Sequence, residues 1–249
     1  MIELFDAQAG FGGARPGQPW IPTVEELLGH MERLSISRAL VRTDFEEMDG
    51  NVPLSNRMLY ETCATHRSLV PCPSVLPAAC GDVPSEQEQI DELIRNGGCA
   101  ATARPNRDSW SIAEWCSGKL FSILEERRVP MLCRQANFEF EAIADLAKRY
   151  PALPIVLFQV GYRHQRVLVP LMKAFSNVYL AIGSPYSVHR GVESMTEQVG
   201  AERLLFGTGF PSSDMMPAIT MLTYAEISDS DRRLIASGNL DRLIGGIRK

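Results

Sequence analysis

The chain alternates between two hydrophobic patterns. Short apolar and β-branched runs, which read as buried strands, fall at Ile2–Gln8, Arg38–Asp44, Leu69–Leu76, Cys99–Pro105, Val129–Gln135, Ile155–Val160, Val178–Gly183 and Leu204–Phe210. Between them lie stretches with helical spacing. In Thr23–Leu34, the residues Val24, Leu27, Leu28, Met31 and Leu34 share one face, with Thr23 placed as N-cap and acids in the first turn. Ser55–His66, Ser85–Arg95, Gly118–Arg128, Phe140–Tyr150, Arg166–Phe175 and Gly191–Val199 follow, and a helical stretch runs from Asp229 to Ile244.

Eight strands, each followed by something helical, predict parallel strands joined by right-handed crossovers. Eight such units in 249 residues match the usual size of a (β/α)8 TIM barrel. A doubly wound open sheet competes with it, but "GFGG" after the first strand lacks the Gly-x-Gly-x-x-Gly spacing of its nucleotide-binding turn. No linker, low-complexity segment or short repeat divides the chain. The expectation is one α/β domain over residues 1–249.

Composition narrows the function classes. Apolar residues are 45% and charged residues 22%, an ordinary globular mixture. A net charge of −5 gives no basic footprint for nucleic acid. No run of 18 apolar residues predicts a membrane span. The N-terminus, MIELFDAQ, lacks the basic region and apolar core of a secretion signal. Cysteines at 63, 72, 80, 99, 116 and 133 form no Cys-x-x-Cys pair, which suggests reduced thiols and a cytoplasmic setting. Monomer and homo-oligomer both stay open.

Four segments resemble those of the amidohydrolase-related family. "LFDAQAG" is similar to its first-strand Asp-x-His-x-His motif, "PALPIVLFQVGY" to its sixth-strand motif and "ERLLFGTGFPSSD" to its eighth. "SGNLDRLIGG" resembles its C-terminal "GNAARLLGL". The resemblance spans nearly the whole chain and implies a (β/α)8 barrel. It also implies one or two divalent metals, held by the first-strand histidines, a fifth-strand residue, a sixth-strand histidine and an eighth-strand aspartate. At those positions this chain has Gln8 and Gly10, Arg134, Gln159 and Gly209. A glutamine amide is a poor zinc ligand, glycine offers no side chain, and an arginine keeps its positive charge. The remaining histidines, His30, His66, His164 and His189, have no paired spacing. The expectation is no metal and no cofactor, so the family's metal-hydroxide chemistry is not available.

In such barrels function sits at the C-terminal ends of the strands. Three arginines stand there: Arg42, Arg104 and Arg134. Residues two apart on a strand share a face. Arg134 then lies above Leu132, and Arg104 follows the small Ala100 and Thr102. Guanidinium groups suit carboxylates or phosphates, so a small anionic molecule is the expected partner. The candidate binding residues are Gln8, Arg42, Arg104, Arg134, Gln159 and Tyr186; His189, His164 and Arg134 are the catalytic candidates.

Each assignment has a structural alternative. The arginines can pair with Asp6, Asp44 or another acid. Gln8 and Gln159 can bond each other or Arg134. His164 and His189 can be surface residues. Cys133 is expected to face the helices as an inert thiol. "RPNRDSW", with Trp110, and the nearby Trp115 can line a pocket or pack on the rim. Arg15 and Trp20, in the Gly/Pro-rich loop after the first strand, are further pocket candidates.

Two functions fit these residues. One is a metal-independent enzyme acting on a small carboxylated metabolite by hydrolysis, decarboxylation or isomerisation, with arginines stabilising developing negative charge. The other is a catalytically inactive relative that binds a small molecule or a protein.

Overall fold

The computed structural model describes residues 2–12, 21–43 and 51–249. Its strands are β1 (Leu4–Phe11), β2 (Ile36–Thr43), β3 (Leu69–Pro71), β4 (Ala101–Thr102), β5 (Met131–Arg134), β6 (Ile155–Phe158), β7 (Val178–Ile182) and β8 (Leu204–Phe206). All neighbours are parallel and follow chain order, in one run of β1–β3 and another of β4–β8.

Hydrogen bonds join both seams into a barrel. Between β3 and β4, Thr102 N donates to Pro73 O at 2.9 Å and Val75 N to Thr102 O at 3.0 Å. Between β8 and β1, Gly209 N donates to Gln8 O at 3.0 Å.

The helices are α1 (Val24–Arg33), α2 (Val52–Thr65), α3 (Glu86–Arg95), α4 (Glu114–Arg127), α5 (Phe140–Arg149), α6 (Gln165–Ala174), α7 (Gly191–Val199), α8 (Met215–Thr223), α9 (Asp229–Arg233) and α10 (Asn239–Gly245). Thr23 caps α1 and Ser85 caps α3, each in a capping box with the glutamate three residues on, Glu26 and Glu88. Among the described residues no helix is long and apolar enough to cross a membrane.

The expected alternation holds, with four local differences. The strands β3 and β4 are shorter than their apolar runs, because Pro71, Pro73 and Pro105 lack the N–H a ladder needs. Strand β1 runs on to Phe11 rather than stopping at Gln8. Helix α8 had no counterpart in the sequence pattern. The expected helix from Asp229 to Ile244 is divided by a π-helical turn at Leu234–Gly238.

Alternation along the strands sorts the core into layers. Phe5, Leu40, Leu132, Val156, Tyr179 and Leu205 fill the barrel interior. The intervening residues, such as Met131, Cys133, Ile155 and Leu157, pack outward against the helices. Full burial of each large side chain contributes about 1.5–3 kcal/mol. Leu240 and Leu243 of α10 join the interior cluster and close its N-terminal end. Asn239 fixes that plug: its fully buried Nδ2 donates to Ala201 O and Leu204 O, both at 2.8 Å. The "GN" of the C-terminal motif thus ties the last helix to the start of β8.

Candidate active site at the barrel mouth

At the other end of the barrel, the arginines stand where strand periodicity puts them. Arg42, Arg104 and Arg134 lie two residues beyond Leu40, Thr102 and Leu132, which all border the space at the top of the interior. Within the described residues this space is small, about 10 Å³. Arg42 and Phe158 both border it. The Arg42 guanidinium lies 5.6 Å from the Phe158 ring centroid and donates to Ala9 O at 3.4 Å. Cation–π contact of this kind favours a charge that has left water.

Arg104 is 4% exposed. Asp108 holds it in a two-point pair, Nε to Oδ2 at 3.3 Å and NH2 to Oδ1 at 2.9 Å. A loop acid four residues on, rather than Asp6, is thus one of its partners. Arg134 ends β5, half-buried, in register with Phe158 of β6.

Three of the five positions matched to the family's ligands, Gln8, Gln159 and Gly209, come together. A Cβ built on Gly209 would fall within contact distance of Gln159 Nε2 and 3.3 Å from Gln8 Nε2. Gln159 Nε2 makes one long bond, 3.5 Å, to Gly209 O. Gln8 is 3% exposed, and its Nε2 has no hydrogen-bond partner among the described residues. The alternative in which the two glutamines bond each other does not occur. Two backbone features hold the cluster: Gln159 at φ 55° and Gly209 at φ 77°, both in the left-handed region.

Asp6 has a structural task beneath this cluster. It is fully buried, and its Oδ1 accepts from Gln8 N at 2.8 Å and Thr208 N at 2.9 Å. Its Oδ2 accepts from the Thr208 hydroxyl. Burial raises its pKa above the ordinary carboxylate value, against the opposing pull of those bonds and of the Arg42 charge.

The histidine candidates lie on the rim. His164 ends the 3₁₀ turn Tyr162–His164 after β6, its ring 5.3 Å from that of Phe140. His189 is exposed at the approach to α7. Among the described residues no hydrogen bond joins either of them to Gln8 or Gln159. Tyr186, expected at the mouth, instead packs in the layer between barrel and helices, 1% exposed, and its hydroxyl has no partner among the described residues. The 3₁₀ turn at Ser184–Tyr186 breaks strand alternation there and accounts for the difference.

Cys133 faces the helices, and burial pushes its thiol up, away from the reactive thiolate. Trp110 packs on Phe121 with ring centroids 6.2 Å apart, while Trp115 is 83% exposed. Arg15, Trp20 and Asp44 lie outside the described residues.

The residues at the ligand positions do not fit a divalent metal. Two amides, two glycines and a guanidinium replace imidazole and carboxylate donors. The space an eighth-strand carboxylate would need is taken by Gln159. Among the described residues no group of three or more His, Cys, Asp or Glu is placed to hold a metal ion.

Sequence reasoning missed Asp108, Thr208 and Phe158. The i,i+4 spacing of Arg104 and Asp108 was a usable signal. The other two follow only from the fold.

Comparisons with known proteins agree with this architecture. 5-Carboxyvanillate decarboxylase LigW from Sphingomonas paucimobilis superposes with a TM-score of 0.78 at 12% identity, covering 100% of both chains. 2,6-Dihydroxybenzoate decarboxylase from Rhizobium gives 0.73 at 16% identity, covering 98% of this chain and 99% of that one. A dihydroxybenzoic acid decarboxylase from Polaromonas sp. JS666, solved with bound manganese and the inhibitor 2-nitroresorcinol, gives 0.73 at 15% identity, covering 98% and 97%. At these identities the likeness shows the fold. No curated protein sequence matches the chain. A sequence model described as amidohydrolase matches residues 54–245, more than half of the chain. The protein therefore belongs to the amidohydrolase family.

Proposed function

We propose that the protein is a metal-independent amidohydrolase-family enzyme that acts on a small carboxylated molecule at the C-terminal mouth of the barrel. The observation that carries this reading is the set of three arginines, Arg42, Arg104 and Arg134, at or just beyond the C-terminal ends of β2, β4 and β5, with Arg42 lining the space at the top of the interior. A guanidinium binds a carboxylate through charge-assisted hydrogen bonds and stabilises negative charge that develops as a bond breaks. Decarboxylation and hydrolysis both develop such charge. The carboxylated aromatics named for two neighbours, 5-carboxyvanillate and 2,6-dihydroxybenzoate, support this substrate class. His164 and His189 are the proton-transfer candidates, because imidazole is the side chain that ordinarily titrates near neutral pH.

The test is calorimetry with 2,6-dihydroxybenzoate and its neutral carboxamide, on the native protein and Arg134→Met, with CO2 release followed in the presence of chelator. The variant should weaken the carboxylate by about 10- to 100-fold and the amide far less. Equal weakening of both ligands would make Arg134 a structural prop.

A second reading, a binding protein without catalysis, is favoured by one observation: His164 packs on Phe140 and His189 is exposed, and neither bonds Gln8 or Gln159 among the described residues. Tight carboxylate binding without turnover of any bound carboxylate would select it.

A further inference from the structure

We propose that the side-chain amides of Gln8 and Gln159 form a neutral two-donor receptor for one oxygen of the bound molecule, at the place where relatives carry metal ligands. The inference rests on the reading of the mouth as a carboxylate site and adds the atoms that orient the carboxylate there.

Three observations bear on these amides. Gln8 Nε2 is buried and lacks an acceptor among the described residues, and a buried N–H in that state is unfavourable. The space of about 10 Å³ that Gln8 borders has room for about one oxygen atom. Gln159 comes up beside Gln8 from the end of β6, both amide nitrogens facing the Gly209 Cβ position, and its bond to Gly209 O is long at 3.5 Å. The missing Cβ of Gly209 lets both nitrogens approach: the two amides flank the position that side chain would occupy. The left-handed backbone of Gln159, unfavourable for a residue with a Cβ, is maintained in this arrangement.

The chemistry separates two roles. Arginine recognises charge. A neutral amide N–H recognises any oxygen acceptor, whether carboxylate or carbonyl. A metal ion supplies both functions in one atom, whereas here charge and direction come from different side chains. An oxygen seated between the amides would be polarised by donors fixed before it arrives, the arrangement that stabilises an oxyanion without reorganisation.

This division gives a test that differs from that of Arg134. Gln8→Met and Gln159→Met should weaken 2,6-dihydroxybenzoate and its carboxamide alike, each by at least about 3-fold. Arg134→Met should weaken the carboxylate selectively. Gln159 is half-buried, so its variant keeps the test open if Gln8→Met fails to fold. In the native protein, titration with 2,6-dihydroxybenzoate should shift the side-chain amide NMR signals of Gln8 and Gln159.

Binding that depends on Arg134 but leaves those amide signals unmoved overturns the receptor, with an enclosed water satisfying Gln8, and leaves the carboxylate site standing. Absence of any binding by either ligand overturns both readings.

Discussion

The carboxylate of Asp6 accepts the backbone N–H of Thr208, 202 residues away in sequence, at 2.9 Å, and accepts the hydroxyl of the same residue. One side chain thereby joins the first strand of the barrel to the segment leaving the last. Its burial raises its pKa, so the folded state favours the protonated acid. The associated stability is full below the ordinary value of 3.8 and is lost as pH rises through the higher folded value. Asp6→Asn keeps an acceptor for both N–H groups and offers a donor to the Thr208 hydroxyl. It should be at least as stable as the native protein at pH 7, with the difference shrinking on acidification. Asp6→Leu should lose about 1–3 kcal/mol for each buried donor left without an acceptor. Melting curves of the three proteins from pH 4 to 8 check this; a large loss in Asp6→Asn at every pH would show that the charge itself is needed.

Asp108 holds Arg104 in a nearly buried pair. Removing one member of such a pair takes a charge-assisted partner from a nearly buried ion. Asp108→Ala should cost about 3 kcal/mol, and the double variant Arg104→Met/Asp108→Ala should cost less than that single change. Urea unfolding of both variants measures the difference. A single change costing under about 0.5 kcal/mol would mean the pair is replaceable by solvent.

Gly209 combines a left-handed backbone with a Cβ position that the end of the Gln159 side chain occupies. Gly209→Ala should destabilise by about 1–2 kcal/mol, chiefly from the backbone, with a smaller share from displacing the Gln159 amide. Adding Gln159→Ala removes the collision and should recover part of the loss, leaving the backbone share. Thermal unfolding of the two variants separates the contributions.

The donor set predicts a metal-free protein, and elemental analysis should find well under one zinc, manganese or iron per chain. Gln8→His with Gly10→His should not change that result. Arg134 still supplies a fixed cation at the fifth-strand position matched to a ligand, and Gly209 still supplies no carboxylate. Stoichiometric zinc in the double variant, with metal-stimulated ester hydrolysis, would show that the metal position lies elsewhere.

Much of the scaffold was legible because barrel strands and amphipathic helices have different periods. Helix α8 was not: "MMPAITMLT" is nearly apolar throughout, so no polar face marks it, and Pro217 near its start reads as a breaker. The end of the chain read as one helix because a π-helical turn leaves the apolar spacing almost unchanged. At the mouth, motif spacing placed Gln8, Gln159 and Gly209 at equivalent strand ends, and strand alternation placed the three arginines. Their partners were not legible. Asp6 bonds backbone N–H groups rather than a guanidinium, and Tyr186 turns outward because a 3₁₀ turn intervenes. These outcomes depend on local dihedrals that residue type does not encode.

The interlock of Gly209 with Gln159 also bears on how such a chain can change over generations. An aspartate introduced at 209 meets the Gln159 amide before it can meet a metal. A histidine introduced at 159 gains no carboxylate partner while 209 remains glycine. Each single change therefore disturbs the amide pair without completing a donor set. The glycine couples the two positions: a new donor at either one becomes useful for metal binding only with a change at the other.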